Sequence, residues 1–333
     1  MFNNLLKIFI IILLFINIIL IFKKNRINKH HFSLSKNKLN KRTKLYKELL
    51  ELYFENKEKF YAKGRDYIMK RKGKAYNETN VKTFQDKLNY LLIYESPEEK
   101  TKIVDKILLR NYSKKIIGKD LCAPILKIYN NIEEINLDEL PEKFVLKCNH
   151  GSAMNIFCED KSKFDLLKAK HTLKNWLNIN YGLLRFEYQY LNVKKKVFAE
   201  SLLDNQIINY KFSCFNGNPK MIRVKSKINR VHFYNIYYIN WTKTNIEIDS
   251  KKYVLTNRFK KPKNLEKMVE YAKLLSSGFC YCRVDFYEVN NKLYLSEITF
   301  TPFNSYFKYK NKKTAIYLGN LINISKIKKI NYL

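Results

Sequence analysis

Two carboxylates near the C-terminus carry the strongest chemical signal, in the stretch "RVDFYEVNNKLYLSEITFTP" (283–302). Two β-prone runs flank the pair "NN", which predicts a hairpin. A three-residue loop, Asn290 to Lys292, would set Asp285 directly opposite Glu297, whereas a two-residue loop would put them on opposite faces. Opposed like charges destabilise a sheet unless a divalent cation lies between them, and carboxylates suit Mg²⁺ bound beside phosphates. The alternative is that these carboxylates are solvated or paired with Lys or Arg.

A second candidate site is the stretch "FVLKCNHGSAMN" (144–155), in which a strand-like run ends in Lys147 and small polar residues. Gly151 and Ser152 could bring backbone N–H groups close to an anion, with Lys147 as a charge beside them. The pattern matches neither GxxxxGK[ST] nor GxGxxG, so by itself it is equally an ordinary turn. His150 alone is more often structural than catalytic, and a helical Arg such as Arg110 usually lies on a solvated face.

The elements that would position these residues alternate along the chain. Periodicity predicts helices over 105–120, 161–178 and 264–276, the first closing at Gly118. It predicts strands over 143–148, 196–203, 210–216, 219–226, 280–289 and 293–300. Strands mixed with helices in this way predict an α+β or α/β fold of the kind common in enzymes.

The N-terminal region differs in character from the rest. Leu5 to Phe22 is almost entirely apolar and predicts a membrane anchor within residues 1–24. Basic residues follow it, which predicts that the remainder faces the cytoplasm. Residues 25–99 are charged with helical periodicity, and residues 100–325 form the predicted catalytic domain.

The composition limits the classes of partner. The net charge is +34 across 333 residues, but the basic residues are spread along the chain without a nucleic-acid motif, so no nucleic-acid partner is expected. The six cysteines show no C-x-x-C and no zinc-ligand spacing, and free thiols in a reducing compartment are expected.

The order of the motifs resembles the TupA-like ATP-grasp family, which is tied to teichuronopeptide and other cell-surface polysaccharide biosynthesis and is often labelled glycosyltransferase. The matching pieces include "DKILLRNY", "LPEKFVLKCNHGSAMN", "VFAESLLDN", "RVDFYEV" and "LSEITFTP", within residues 100–320. The resemblance implies an α+β ATP-grasp fold, with two subdomains that grip ATP between them.

The resemblance also implies residue roles. Arg283 and Lys211 would act at the reacting centre, and Asp285, Glu297 and Thr299 would hold Mg²⁺, although Thr299 stands where many ATP-grasp enzymes have Asn. ATP would be bound by Arg110, Lys147, Asn149, His150, Gly151, Ser152, Glu200, Leu202, Leu203 and Asp204. Ala153 and Ser305 stand at or near positions that the family tends to fill with Gly.

The implied activity is that of a Mg-ATP-dependent ligase, which phosphorylates a carboxylate and lets an amine attack the acylphosphate. The acceptor would be a sugar or amino acid of a surface-polysaccharide pathway. One alternative is a glycosyltransferase that uses a nucleotide sugar, although no D-x-D motif is present. Another is a non-catalytic nucleotide-binding module on the membrane.

Overall fold

The computed structural model describes residues 36–71, 80–203, 207–229, 231–250, 252–305, 308–325 and 327–330. The predicted membrane anchor therefore lies outside the described residues. Within these ranges, no helix combines the length and the apolar character needed to cross a membrane.

The described helices agree with the sequence periodicity in most places. They are α1 (Lys36–Glu55), α2 (Lys57–Arg71), α3 (Phe84–Tyr94), α4 (Glu98–Val104), α5 (Leu109–Ile117), α6 (Leu166–Leu177), α7 (Tyr181–Arg185), α8 (Leu265–Ser276) and α9 (Lys312–Asn320). The single helix predicted over 105–120 is wrong at its start. The side chain of Asp105 accepts hydrogen bonds from the backbone N–H groups of Ile107 (2.8 Å) and Leu108 (3.3 Å), and this local turn replaces the first helical turn. The predicted end at Gly118 is confirmed, with φ of +82°.

The strands form two sheets. They are β1 (Ile125–Tyr129), β2 (Phe144–Cys148), β3 (Asn155–Cys158), β4 (Val197–Ser201), β5 (Asn209–Phe215), β6 (Asn218–Ile228), β7 (Val231–Tyr238), β8 (Tyr253–Leu255), β9 (Tyr281–Val289) and β10 (Lys292–Thr299). The smaller sheet has the order β1-β4-β2-β3 and is antiparallel. The larger sheet has the order β10-β9-β5-β6-β7-β8 and is antiparallel except for the β7–β8 pair.

One face of the larger sheet is mostly apolar. Side chains at alternate positions, among them Phe212, Ile222, Val224, Val284 and Phe286, are fully buried and pack with the apolar side of α8. This burial supplies the main hydrophobic core.

The opposite face of the same sheet changes character along the strands. Phe215, Met221 and Tyr281 at one end belong to a core cluster with residues of α3 and α9. Further along the same strands, the same face carries Arg283 and Asp285 instead. The strands are thus anchored at one end of this face and present charged side chains at the other.

The smaller sheet packs against α6. Phe144, Leu146 and Ala199 are buried with Leu173 of that helix. The N-terminal helices form another cluster, in which Leu49 and Phe60 pack on Phe186 and Tyr188. All six cysteines are free thiols, as the sequence predicts, and only Cys122 is partly exposed.

Candidate active site between the two sheets

The β9–β10 hairpin brings the two predicted carboxylates together by an unexpected route. Its turn has two residues, Asn290 and Asn291, with φ of +51° and +61°, as the primed turns of tight hairpins require. Such a turn alone would place Ser296 opposite Asp285. A β-bulge between Leu295 and Glu297 shifts the register by one residue, so that Glu297 pairs with Asp285. The three-residue loop considered from sequence is wrong, but the pairing it would give is present.

Arg283 holds this carboxylate pair. Its Nε donates to Asp285 Oδ1 (2.6 Å) and its Nη2 to Asp285 Oδ2 (2.6 Å). The same Nη2 lies 2.8 Å from Glu297 Oε1 and 3.2 Å from Thr299 Oγ1. Lys211, directly opposite Asp285 on β5, donates to Asp285 Oδ2 as well. The structure therefore brings together the five residues predicted to act at the reacting centre and to hold the metal.

The electrostatics follow from burial and pairing. Asp285 is completely buried, which by itself would raise its pKa, but Arg283 and Lys211 outweigh burial and hold the pKa well below its usual range. Burial opposes the charge of Arg283, yet Asp285 and Glu297 keep its pKa above the ordinary value. For Lys211, burial and then Arg283 lower the pKa. Asp285 is therefore an anion across the physiological pH range.

The smaller sheet contributes Lys147 from β2. Its ammonium is paired with Glu200 of β4, and both side chains are mostly buried. Both residues line a cavity of about 230 Å³ together with Lys106, Lys211 and Glu297. This cavity lies between the two sheets and is lined by cations from each of them.

Lys106 is a cleft residue that sequence reasoning missed. Its segment is fixed by Asp105, whose carboxylate accepts from the side chain of Asn149 (2.8 Å). Asn149 also donates to the Lys194 carbonyl (2.9 Å) and accepts from the Lys196 N–H (2.8 Å). The side chain of Asn149 thus connects three segments and fixes the segment that carries Lys106. It was predicted to bind ATP in the cleft, but it is used for these structural contacts instead. The matching motif "DKILLRNY" contains Lys106, but the resemblance assigned a role to Arg110 of that motif instead.

His150 is the other predicted ligand residue that the fold turns away from the cleft. It is buried, and its Nε2 lies 3.0 Å from the carbonyl oxygen of Trp176 in α6. Burial lowers its pKa to about 4. The imidazole is therefore neutral at physiological pH and belongs to the packing between the loop and α6.

The loop that follows β2 reaches the cleft with Ser152 and Ala153, which are exposed and line the cavity. Gly151 is buried, and a Cβ there would lie 2.8 Å from Met154 Sδ and 2.9 Å from Tyr181 Cδ2. A side chain at position 151 would therefore require Met154 and Tyr181 to shift. Ala153 has a φ of +60°, in the left-handed region that favours glycine. Ser305 shares this conformation, with a φ of +57°, which explains why glycine suits both positions.

The structure does not bring Arg110 into this cavity. Its Nη2 pairs with Asp120 (2.6 Å) and its Nη1 donates to the Ala123 carbonyl (2.5 Å). It lines a separate cavity of about 430 Å³, which shares Cys122 and Tyr294 with the first. The structure therefore does not place Arg110 beside Lys147, whereas Lys106, four residues earlier, lines the same cavity as Lys147.

The remaining predicted nucleotide residues follow β4. Leu202 and Leu203 are half-buried, and neither lines the cavity of about 230 Å³ or the adjoining cavity of about 560 Å³ described next. Asp204 lies outside the described residues. Glu200 is thus the member of this group that the structure places in the cleft.

A larger cavity of about 560 Å³ continues from the first and shares Ser152, Lys211 and Glu297 with it. Arg283 and Thr299 line this cavity too. Glu187 is a further buried carboxylate in its wall, and burial raises the pKa of this group even though Thr301 donates to it. No sequence motif marked Glu187, because it lies in a short irregular segment between α7 and β4.

The carboxylate pair fits a magnesium ion in part. Mg²⁺ is commonly held by one or two carboxylates together with substrate phosphates. Glu297 is partly exposed in the cleft, with 35% of its side-chain surface accessible, whereas both oxygens of Asp285 accept from Arg283 or Lys211. Within the described ranges, no group of three His, Cys, Asp or Glu side chains could hold a metal. The donor set therefore suits a metal that is bound with the nucleotide, with Glu297 the more accessible ligand.

Comparison of the sequence with models of protein families identifies the family of this chain. The model of the TupA-like ATP-grasp family matches residues 86–323, well over half of the 333 residues. The chain belongs to the TupA-like ATP-grasp family. The mixed helix and sheet fold expected from the resemblance is thereby confirmed. A comparison with curated protein sequences gives no match.

Solved structures show more distant similarity. D-alanine–D-alanine ligase from Helicobacter pylori is 20% identical, with a TM-score of 0.37, over 69% of this chain and 61% of that one. The same enzyme from Bacillus anthracis, complexed with ATP, is 14% identical, with a TM-score of 0.36, over 67% and 63%. N5-carboxyaminoimidazole synthase from Aspergillus clavatus is 12% identical, with a TM-score of 0.39, over 62% and 46%. This chain thus spans less than two thirds of each of these proteins.

Proposed function

We propose that the protein is a Mg-ATP-dependent ligase that activates a carboxylate as an acylphosphate in the biosynthesis or modification of a cell-surface polysaccharide. The observation that carries this proposal is the cleft between the two sheets. There, Lys106, Lys147 and Glu297 line one cavity, and Glu297 pairs with Asp285, in a chain of the TupA-like ATP-grasp family. The predicted anchor in residues 1–24 and a location on the cytoplasmic face of a membrane belong to the same proposal.

The division of the cleft suggests how the residues act. The smaller cavity would hold the nucleotide, with Lys106 and Lys147 on its phosphates, and binding would require Lys147 to leave Glu200. Magnesium, held by Glu297 and Asp285, would neutralise charge on the phosphoryl group being transferred.

On the other side of this centre, Arg283 faces the larger cavity, where a carboxylate substrate could bind close to the γ-phosphate. Arg283 is held by four hydrogen bonds and its side chain is nearly buried, so its guanidinium is oriented before substrate arrives. This preorganisation would favour charge developing at the reacting centre.

The test is ATP binding to the full-length chain, measured by isothermal titration calorimetry with and without Mg²⁺. We expect Mg²⁺ to tighten binding of ATP to the wild-type protein at least tenfold. Asp285→Asn should abolish that gain while leaving metal-free binding unchanged or tighter, because removal of an anion leaves the cations of Arg283 and Lys211 uncompensated. Asp138→Asn, at an exposed carboxylate, is the matched control and should retain the gain.

Two results would contradict the proposal. The first is a preference for UDP-glucose over ATP in the same titration, which would favour a glycosyltransferase. The second is ATP binding that does not respond to Mg²⁺ in the wild-type chain, as expected of a non-catalytic module.

A further inference from the structure

The larger cavity is strongly basic. Its described lining includes six cationic side chains: Arg185, Lys211, Arg223, Lys225, Arg283 and Lys308. It includes three carboxylates: Glu187, Asp249 and Glu297. A volume of about 560 Å³ is within the usual range for sites that bind small molecules.

The register of the larger sheet arranges the charges in a row. Glu297, Asp285, Lys211 and Arg223 lie directly opposite one another on β10, β9, β5 and β6. Asp285 accepts hydrogen bonds from Arg283 and Lys211, and Glu297 accepts one from Arg283. Arg223 extends the row on the side of Lys211 away from the carboxylates. Lys225 follows two residues later on the same strand and therefore on the same face.

Arg223 and Lys225 both lie against aromatic rings. The Arg223 guanidinium carbon lies 4.9 Å from the centre of the Phe303 ring, and Lys225 Nζ lies 5.4 Å from that of Tyr253. Lys225 forms no ion pair with any described residue. Burial, and then Lys211 and Arg223, lower its pKa to about 8. The positive charges of Arg223 and Lys225, two residues apart on one face of the strand, repel each other. An anion bound between them would offset this repulsion.

We propose that Arg223 and Lys225 form a binding site for an anionic group, a carboxylate or a phosphate, on the second substrate. This inference rests on the proposed function, since it identifies the chemical class of the molecule that binds beside the nucleotide. The group is separate from the phosphates of ATP, because Lys106 and Lys147 line the smaller cavity, whereas Arg223 and Lys225 line the larger cavity and not the smaller one. The rings of Tyr253 and Phe303 would cover the apolar part of the same molecule.

The experiment uses the full-length chain saturated with Mg²⁺ and AMP-PNP, so that the nucleotide site cannot take up the probes. Sodium glucuronate, glucose 6-phosphate and neutral glucose are titrated separately and followed by NMR saturation transfer. We expect both anionic probes to bind more tightly than glucose, and the stronger of the two to identify the preferred group. Lys225→Gln should weaken the anionic probes about tenfold, as expected for loss of one charge-assisted hydrogen bond.

Lys227→Gln is the matched control, because Lys227 is exposed on the same strand and does not line the larger cavity. It removes the same charge and should leave the affinities within twofold. AMP-PNP affinity reports folding of each variant and should stay unchanged in both.

The proposal fails if glucose binds as tightly as the anions, if neither anion binds, or if Lys225→Gln has no more effect than Lys227→Gln. If AMP-PNP does not bind but the anions do so in a Lys225-dependent way, the proposed ligase function fails and the anion site stands. If AMP-PNP binds and the anions do not, the ligase function survives and the anion site is refuted.

Discussion

Removal of Arg283 should be among the most damaging single changes in the protein. The side chain donates two hydrogen bonds of 2.6 Å to Asp285, which has no exposed surface. In Arg283→Met only Lys211 would remain to pair with the carboxylate. Breaking a buried ion pair by removing one partner typically costs about 3–5 kcal/mol, and we expect a loss in that range at pH 7. Glu297 adds little, because it is partly exposed.

The stability lost in Arg283→Met should depend on pH. In the wild-type protein, the pKa of Asp285 is below its unfolded value, so the ionised carboxylate contributes stability above the unfolded pKa of about 4. In Arg283→Met that pKa should rise, because burial is then opposed by Lys211 alone. Folding of the variant would then take up a proton as the pH falls towards the unfolded pKa of about 4. The difference between the two proteins should therefore be greatest at pH 7 and shrink towards pH 4.5.

The assay is urea unfolding followed by circular dichroism, at pH 7 and pH 4.5, for wild type, Arg283→Met and Arg283→Met/Asp285→Asn. The double variant should be less stable than the single one at pH 7, because Asp285→Asn leaves the buried ammonium of Lys211 without its carboxylate partner. Arg258→Met, at an exposed arginine, should change the free energy of unfolding by less than about 0.5 kcal/mol. A loss under about 1 kcal/mol for Arg283→Met, or a loss that does not vary with pH, would refute the reasoning.

Further predictions concern the loop after β2. Ala153→Gly should raise the free energy of unfolding by about 0.5–1 kcal/mol in urea, because it relieves a left-handed backbone that costs a residue with a Cβ about 1–2 kcal/mol. Gly151→Ala should destabilise the protein by about 1–3 kcal/mol in the same assay and weaken AMP-PNP binding, because its Cβ would displace Tyr181. His150 should titrate near pH 4 by NMR. Stability should accordingly fall as the pH drops from about 6.5 towards 4, because the unfolded chain takes up the proton first.

The predictions for Ala153 and His150 each have a result that would contradict them. Ala169→Gly, within α6, should lower the free energy of unfolding by about 1 kcal/mol, opposite in sign to the change at Ala153. A lower stability of Ala153→Gly would show that the loop does not have the described conformation. A midpoint for His150 near 6.5, the ordinary pKa of histidine, would contradict the burial of His150.

The sequence determined which residues share a face. Alternation in "RVDF" placed Arg283 and Asp285 on one face and Val284 and Phe286 on the other, because side-chain direction in a strand has a period of two. It also predicted the hairpin, the end of α5 at Gly118 and the family. These features depend on local geometry and on short patterns, which a single chain displays directly.

Only the tertiary structure decided the register and the partners. A bulge, not the turn length, set Glu297 opposite Asp285. A bulge inserts one extra residue into a strand, and no sequence pattern showed where this residue would be. Lys211 reaches Asp285 from a strand 74 positions away, and Lys106 enters the cleft because Asn149 fixes its segment. Such contacts follow from how the sheets pack, so the sequence supplied the charged groups while the fold chose which of them meet.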